Sequence, residues 1–133
     1  MSSLFPVRES PGISNKIILI KTLTLNEYLR IITHMKKTMY VYIMTNVVHT
    51  VLYVGVTNDL IRRVWEHKNN ILGGFTATYR LHKLVYFAVF EDANSAIAYE
   101  KYLKKCYRRT KEKLITEQNP KWRDLYEDLV PNE

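Results

Sequence analysis

Tyr42 and Tyr53, then Gly55, Arg63 and His67, are the residues of this chain whose types and spacing suit chemistry. The tyrosines stand in two short β-rich runs, Tyr40-Val41-Tyr42 and Tyr53-Val54-Gly55. The arginine and the histidine stand four apart on the helix that follows. Two phenols, a glycine that clears space and a permanent cation form a polar cluster inside an otherwise apolar unit. That combination reads as a site for a phosphate group. Arg63 offers fixed donors and stays charged, which suits developing phosphate charge. A phenol is the awkward member. Its ordinary pKa near 10 makes it a poor base at neutral pH. It works if a nearby cation lowers that pKa, or if it mainly positions water. Gly55 lets a phosphate or a helix approach the strand.

The elements that must position these groups follow from periodicity. Residues 40–46 alternate, with Tyr40, Tyr42 and Met44 on one face and Val41 and Ile43 on the other. Residues 51–56 alternate likewise, with Val51, Tyr53 and Gly55 opposed to Leu52, Val54 and Val56. Two such runs around a short polar turn predict an antiparallel hairpin, aliphatic on one side and tyrosine-bearing on the other. Thr57 or Asn58 caps a helix to about residue 70, with Leu60, Val64, His67 and Ile71 on one stripe and Arg62–Glu66 as a solvent-side i,i+4 pair. Gly73-Gly74 opens a loop, and Lys83–Phe90 reads as a third strand. Asp92 or Asn94 starts a helix to about 107, and Thr110 caps another to about 118. Pro120 at the first helical position permits a last helix through Tyr126. The fold class is α+β: a small central three-stranded antiparallel sheet flanked by helices, in the order β-β-α-β-α-α-α.

Residues 1–38 read as an N-terminal extension, weakly structured or partly helical. Ser2, Ser3, Ser10, Pro11, Gly12 and Ser14 mark an irregular start. Residues 22–33 form one helix, with Thr24 as N-cap and Glu27 at the capping-box position. Met35 and Met39 just before the first strand raise the alternative that the extension is sequence upstream of the natural start. The main domain spans 39–129, and 130–133 end an acidic tail.

The chain has 133 residues and a net charge of +7, with a pI of about 9.5. The excess sits in the middle: residues 60–123 carry 14 Lys/Arg against 6 Asp/Glu, and 124–133 carry 4 acids and no Lys/Arg. A basic middle favours an anionic partner, nucleic acid before an anionic membrane. The single cysteine, Cys106, excludes an intrachain disulfide and reads as a small core residue. No apolar run approaches a membrane span and the first residues do not make a signal peptide, so the expected location is cytoplasmic.

At this point the motifs resemble a known family. Tyr40-Val41-Tyr42, Tyr53-Val54-Gly55, Thr57-Asn58-Asp59-Leu60-x-Arg62-Arg63-x-x-Glu66-His67, Glu100-Lys101-Tyr102-Leu103-Lys104 and Asn119-Pro120-Lys121-Trp122-Arg123-Asp124-Leu125-Tyr126 resemble the GIY-YIG nuclease domain, in its small stand-alone bacterial form. The resemblance spans about 36–129. It implies a metal-dependent endonuclease, a hydrolase of DNA phosphodiester bonds. Carried over residue by residue, it implies catalytic roles for Tyr42, Tyr53, Arg63 and His67, with Glu100 as the ligand of Mg²⁺ or Mn²⁺. Gly55 and Asn119 would support the site. One glutamate is a sufficient anchor for an ion that keeps most of its waters. Tyr40 stands where the family name has glycine. Tyr99 stands where close relatives often carry a basic residue, which bears on rate or metal affinity.

Lys101, Lys104, Lys105, Arg108, Arg109 and Lys111, with Tyr102 and Tyr107 interleaved, form a second basic surface for nucleic-acid backbone, and the tyrosines suit stacking on splayed bases. The expected partner is DNA: branched, damaged or single-stranded. Each residue also has a plain structural alternative. The tyrosines can be cross-strand packing, His67 a core histidine, Glu100 the partner of Lys104, and the lysines a solvated face. Two other readings stay open: a nucleic-acid-binding module of the same fold that cleaves weakly or not at all, and a domain whose acidic tail (Asp124, Glu127, Asp128) recruits another protein.

Overall fold

The computed structural model describes residues 24–131. Helix α1 is Leu25–Lys37, followed by β1 Met39–Thr45, β2 Leu52–Thr57, α2 Leu60–Lys68, α3 Gly74–Thr78, β3 Lys83–Phe90, α4 Ala93–Lys105, α5 Arg108–Gln118 and α6 Tyr126–Leu129. The sheet is antiparallel throughout, in the order β2-β1-β3.

Strand alternation sorts the core into two layers. Val41, Ile43, Val54, Val85 and Ala88 pack with Ala96 and Leu103 of α4 and Ile115 of α5. Tyr42, Met44, Leu84 and Phe87 pack on the opposite side with Leu60 and Val64 of α2 and Leu125. β1, central in the sheet, is buried over its last five residues. Both expected faces of the hairpin are present, and its register sets Tyr42 opposite Gly55 and Tyr53 opposite Met44. Cys106 ends α4, half-buried against the aliphatic layer.

The capping box of α1 forms: Thr24 Oγ1 accepts from Glu27 N at 3.3 Å, and Glu27 Oε2 accepts from Thr24 N at 2.9 Å. Residues 1–23 lie outside the described residues, so the irregular start and the origin of the extension stay expectations.

Several local expectations change. Asp59, not Thr57 or Asn58, caps α2, its carboxylate accepting from Arg62 N at 3.2 Å. Thr57 Oγ1 is used one step earlier, accepting from Asp59 N. Glu66 pairs with Arg63 rather than Arg62, and Ile71 is exposed beyond the helix end. Gly73-Gly74, both at positive φ, lead into the short helix α3 instead of a plain loop. Tyr107, not Thr110, stands at the N-cap of α5.

The expected helix from Pro120 is absent among the described residues, because residues 118–125 serve the edge of β3 instead. Gln118 bonds both the N–H and C=O of Phe87. The register shift between Ile43 and Met44 skips Val85, whose carbonyl accepts from Asn119 Nδ2 at 3.1 Å. Asp124 accepts from Leu84 N, and Leu125 N donates to Leu84 O. An edge strand with open ladder groups is a liability, and this segment covers it. Only then does α6 begin.

Candidate active site

Tyr42 is the hub of the site. Its position opposite Gly55 is what its ring requires: a Cβ at residue 55 would stand 2.5 Å from Tyr42 Cζ and 2.8 Å from Cε1, and nearer still to the hydroxyl. The group that needs the glycine is therefore the phenol itself, not an incoming phosphate or helix. Tyr42 is buried, and its hydroxyl lies 2.9 Å from Nε2 of the equally buried His67. The Tyr53 ring completes the cluster, 6.4 Å from Tyr42 and 5.5 Å from His67, edge-on to the imidazole.

Helix α2 delivers His67 through its apolar stripe, with Leu60, Val64 and His67 facing the sheet. Arg63 lies beside that stripe. Its charge acts on the Tyr42 phenol, and its Nε is 3.2 Å from Glu66 Oε1. That last contact is an ion pair without hydrogen-bond alignment, since Nε has no hydrogen-bond partner. Glu100, on α4, also acts on Tyr42 through its charge. Two strands and α2 thus contribute to one cluster, and Glu100 reaches it from α4 through its charge.

Burial dominates the electrostatics. It pushes the Tyr42 phenol well above its ordinary range, with Tyr53 next in effect; the lowering by Arg63 is smaller, and Glu100 adds to the rise. The cation does not win, so Tyr42 is a neutral phenol at pH 7. Burial, then Arg63, lowers His67 to about 4. The ring is neutral, and its Nδ1 has no hydrogen-bond partner. The Tyr42 hydroxyl and His67 Nε2 share one hydrogen bond, whose direction follows the imidazole tautomer. The reachable groups are the half-buried Tyr53, Arg63 and Glu100.

Glu100 is the carboxylate available for a metal. Its side chain is 12% exposed and Oε2 accepts from Lys104 Nζ at 2.7 Å. No group of three His, Cys, Asp or Glu converges among the described residues. One carboxylate suits Mg²⁺, which keeps several waters, and does not suit a four-ligand zinc site.

The remaining sequence candidates divide. Asn119 is buried and bonds Val85 O, Arg123 O and Arg123 N. It is a bracket for the last turn, and none of these bonds reaches the tyrosines. Tyr99 donates to or accepts from Tyr86 at 2.8 Å and packs on Phe90, so it belongs to the core. Lys101, Lys105 and Arg109 are exposed, and Lys111 is half-buried. Lys104 holds Glu100, and Arg108 is committed to Glu112 and to the carbonyls of His49 and Thr50. In the acidic tail Asp124 pairs with Lys68, and Asp128 with Arg123. Two of the three acids proposed to recruit a partner are therefore engaged within the chain. Sequence reasoning passed over Asp124 as a structural group; its place two residues before Tyr126, whose N–H it accepts, was the local signal.

The profile of the GIY-YIG catalytic domain matches residues 38–113. The chain belongs to the GIY-YIG family. Members of this nuclease family act on nucleic acid. A UPF0213 protein of Clostridium perfringens is 39% identical over 70 residues, spanning 53% of this chain and 75% of the relative. A UPF0213 protein of Listeria innocua is 35% identical over 65 residues, spanning 49% and 72%. The solution NMR structure of a UPF0213 protein from Bacillus halodurans aligns over 64% of this chain and 89% of its own, at 27% identity and a TM-score of 0.43. No helix among the described residues is long and apolar enough to cross a membrane.

Proposed function

We propose that this GIY-YIG domain is a metal-dependent endonuclease that hydrolyses DNA phosphodiester bonds. The observation that carries the reading is the buried Tyr42 hydroxyl, 2.9 Å from His67 Nε2, with the Tyr53 ring 6.4 Å from its own and the charges of Arg63 and Glu100 acting on it. Arg63 stabilises the charge that develops on the phosphate. Tyr53 orients the attacking water. Tyr42, seated over Gly55, fixes Arg63 and Tyr53, and His67 fixes Tyr42. Glu100, which pairs with Lys104, would hold a divalent ion, Mg²⁺ or Mn²⁺. When bound, that ion would supply phosphate polarisation and a lowered pKa for water. Lys101, Lys105 and Arg109 contact DNA backbone, and that contact weakens as salt rises.

Glu100→Gln and Tyr53→Phe each lower cleavage by about 100-fold or more while low-salt DNA binding remains, the scale seen when one transition-state contact is removed. Purified protein with Mg²⁺ or Mn²⁺ that leaves duplex, single-stranded and branched DNA uncut would overturn the reading. The Glu100–Lys104 pair favours one alternative, a binding module of the same fold in which the carboxylate stays occupied. Equal DNA binding by wild type and Glu100→Gln, with no cleavage by either, is the result that reading expects.

A further inference from the structure

The β1–β2 turn is held more firmly than its own residues require. Asn46 Oδ1 accepts from Thr50 N at 2.8 Å and Val51 N at 3.1 Å, and its Nδ2 donates to Thr50 Oγ1 at 2.7 Å. His49 adopts a left-handed φ of 59°. Arg108 donates to His49 O at 2.6 Å and to Thr50 O at 2.9 Å. Lys83 Nζ donates to His49 Nε2 at 2.8 Å, and the Trp122 ring lies 4.9 Å from the imidazole. Side chains from β3, α5 and the C-terminal turn thus converge on one hairpin tip. What the tip presents is Val47 and Val48, 78% and 70% exposed.

A rigid apolar tip enters an ordered apolar layer with little further loss of conformational freedom. Its surroundings say which layer. Lys83 and Arg108 touch the turn, and Tyr107, 81% exposed, and Arg109 flank Arg108. Apolar residues inside a cationic collar match stacked bases bordered by phosphates. We propose that Val47-Val48 is a wedge that enters the base stack where a duplex opens, so that a duplex–single-strand junction is the preferred substrate. The proposal rests on the nuclease reading and narrows its substrate class. Val47 stands five residues after Tyr42 and Val48 five before Tyr53, a span of about 16 Å. The cut is therefore displaced from the junction by roughly four or five nucleotides, at about 3.4 Å each along one strand.

The test uses the full chain with Mg²⁺ on three DNAs: a splayed-arm junction, the same duplex without arms, and the matching single strand. In the Val47→Ser/Val48→Ser variant the junction-to-single-strand ratio of kcat/KM falls about tenfold or more, on the scale of losing a valine's apolar contact. Val47→Leu/Val48→Leu retains it. In parallel, Glu100→Gln protein is bound to a junction carrying 2-aminopurine at the opening step. Its fluorescence rises as the base unstacks, and the rise is lost when both serines are added. Either single Val→Ser variant reads the same ratio if the pair lowers the melting temperature. An unchanged ratio alongside normal cleavage overturns the wedge and leaves the nuclease reading standing. A fluorescence rise that depends on the valines, with no DNA cut, supports the wedge and overturns the nuclease reading. Binding to phosphatidylserine vesicles that needs the valines, with no junction preference, overturns the wedge and makes a lipid surface its occupant.

Discussion

Gly55→Ala tests the geometry of the site at its tightest point. The added methyl would lie 2.5 Å and 2.8 Å from two carbons of the Tyr42 ring, where ordinary contact is about 3.5–4.0 Å. The ring must retreat by about 1 Å. It has little room, because Tyr42 is fully buried among Leu60, Val64 and Phe87. Its hydroxyl would also leave the 2.9 Å hydrogen bond to His67. Overpacking costs about 1–3 kcal/mol, and a lost bond between buried partners about 1–2 kcal/mol. The expected destabilisation is about 2–5 kcal/mol, a fall in Tm of roughly 8–20 °C for a domain of this size. Circular dichroism on heating measures it. Cleavage should fall further than stability explains at temperatures where the variant is still folded, because Tyr42 positions Arg63. Gly55→Ala combined with Tyr42→Ala should cost at least about 1 kcal/mol less than the two changes added separately. A Gly55→Ala protein within about 0.5 kcal/mol of wild type, with normal activity, would refute the seating of Tyr42 over residue 55.

His67 should make stability depend on pH. Its value is about 4 when folded and near the ordinary 6.5 when unfolded, so below pH 6.5 the unfolded chain takes up a proton that the native state refuses. Its contribution is complete above pH 6.5 and is lost as pH falls toward 4, by about 3 kcal/mol; urea midpoints at pH 7, 5.5 and 4.5 measure this, and His67→Gln flattens the profile. Asp124→Ala leaves Leu84 N, Tyr126 N and Lys68 without their shared acceptor, which should cost about 2–3 kcal/mol and speed proteolysis of residues 119–131. Arg108→Ala removes both guanidinium bonds to the hairpin turn. Amide exchange at Thr50 and Val51 should then accelerate about tenfold, with no comparable change in β3.

Much of the sheet was legible because side-chain alternation is a local property. Tyr42 and Met44 opposed to Val41 and Ile43 fall on the two core layers as their spacing required, and β3 runs over the expected Lys83–Phe90. The stripe of Leu60, Val64 and His67 placed the histidine on the buried side of α2. Helix starts were less legible, since Thr57, Asn58 and Asp59 are all capping residue types and backbone geometry chose Asp59. The C-terminal segment was misread as helix because the groups it satisfies, the open edge of β3 and the carbonyl of the bulged Val85, lie about 35–40 residues away in the chain.

The sequence by itself determined the two-faced hairpin, the identity of the polar residues and the family to which they belong, because each depends on residue type and short-range period. Tertiary structure alone decided what those residues are. Gly55 proved to be the seat of a phenol, Tyr42 a buried group bonded to His67, and Asn119 and Asp124 braces for an edge strand. Desolvation and packing set those roles, and both are sums over neighbours distant in the chain. Residue order does not carry such sums until the fold assembles them.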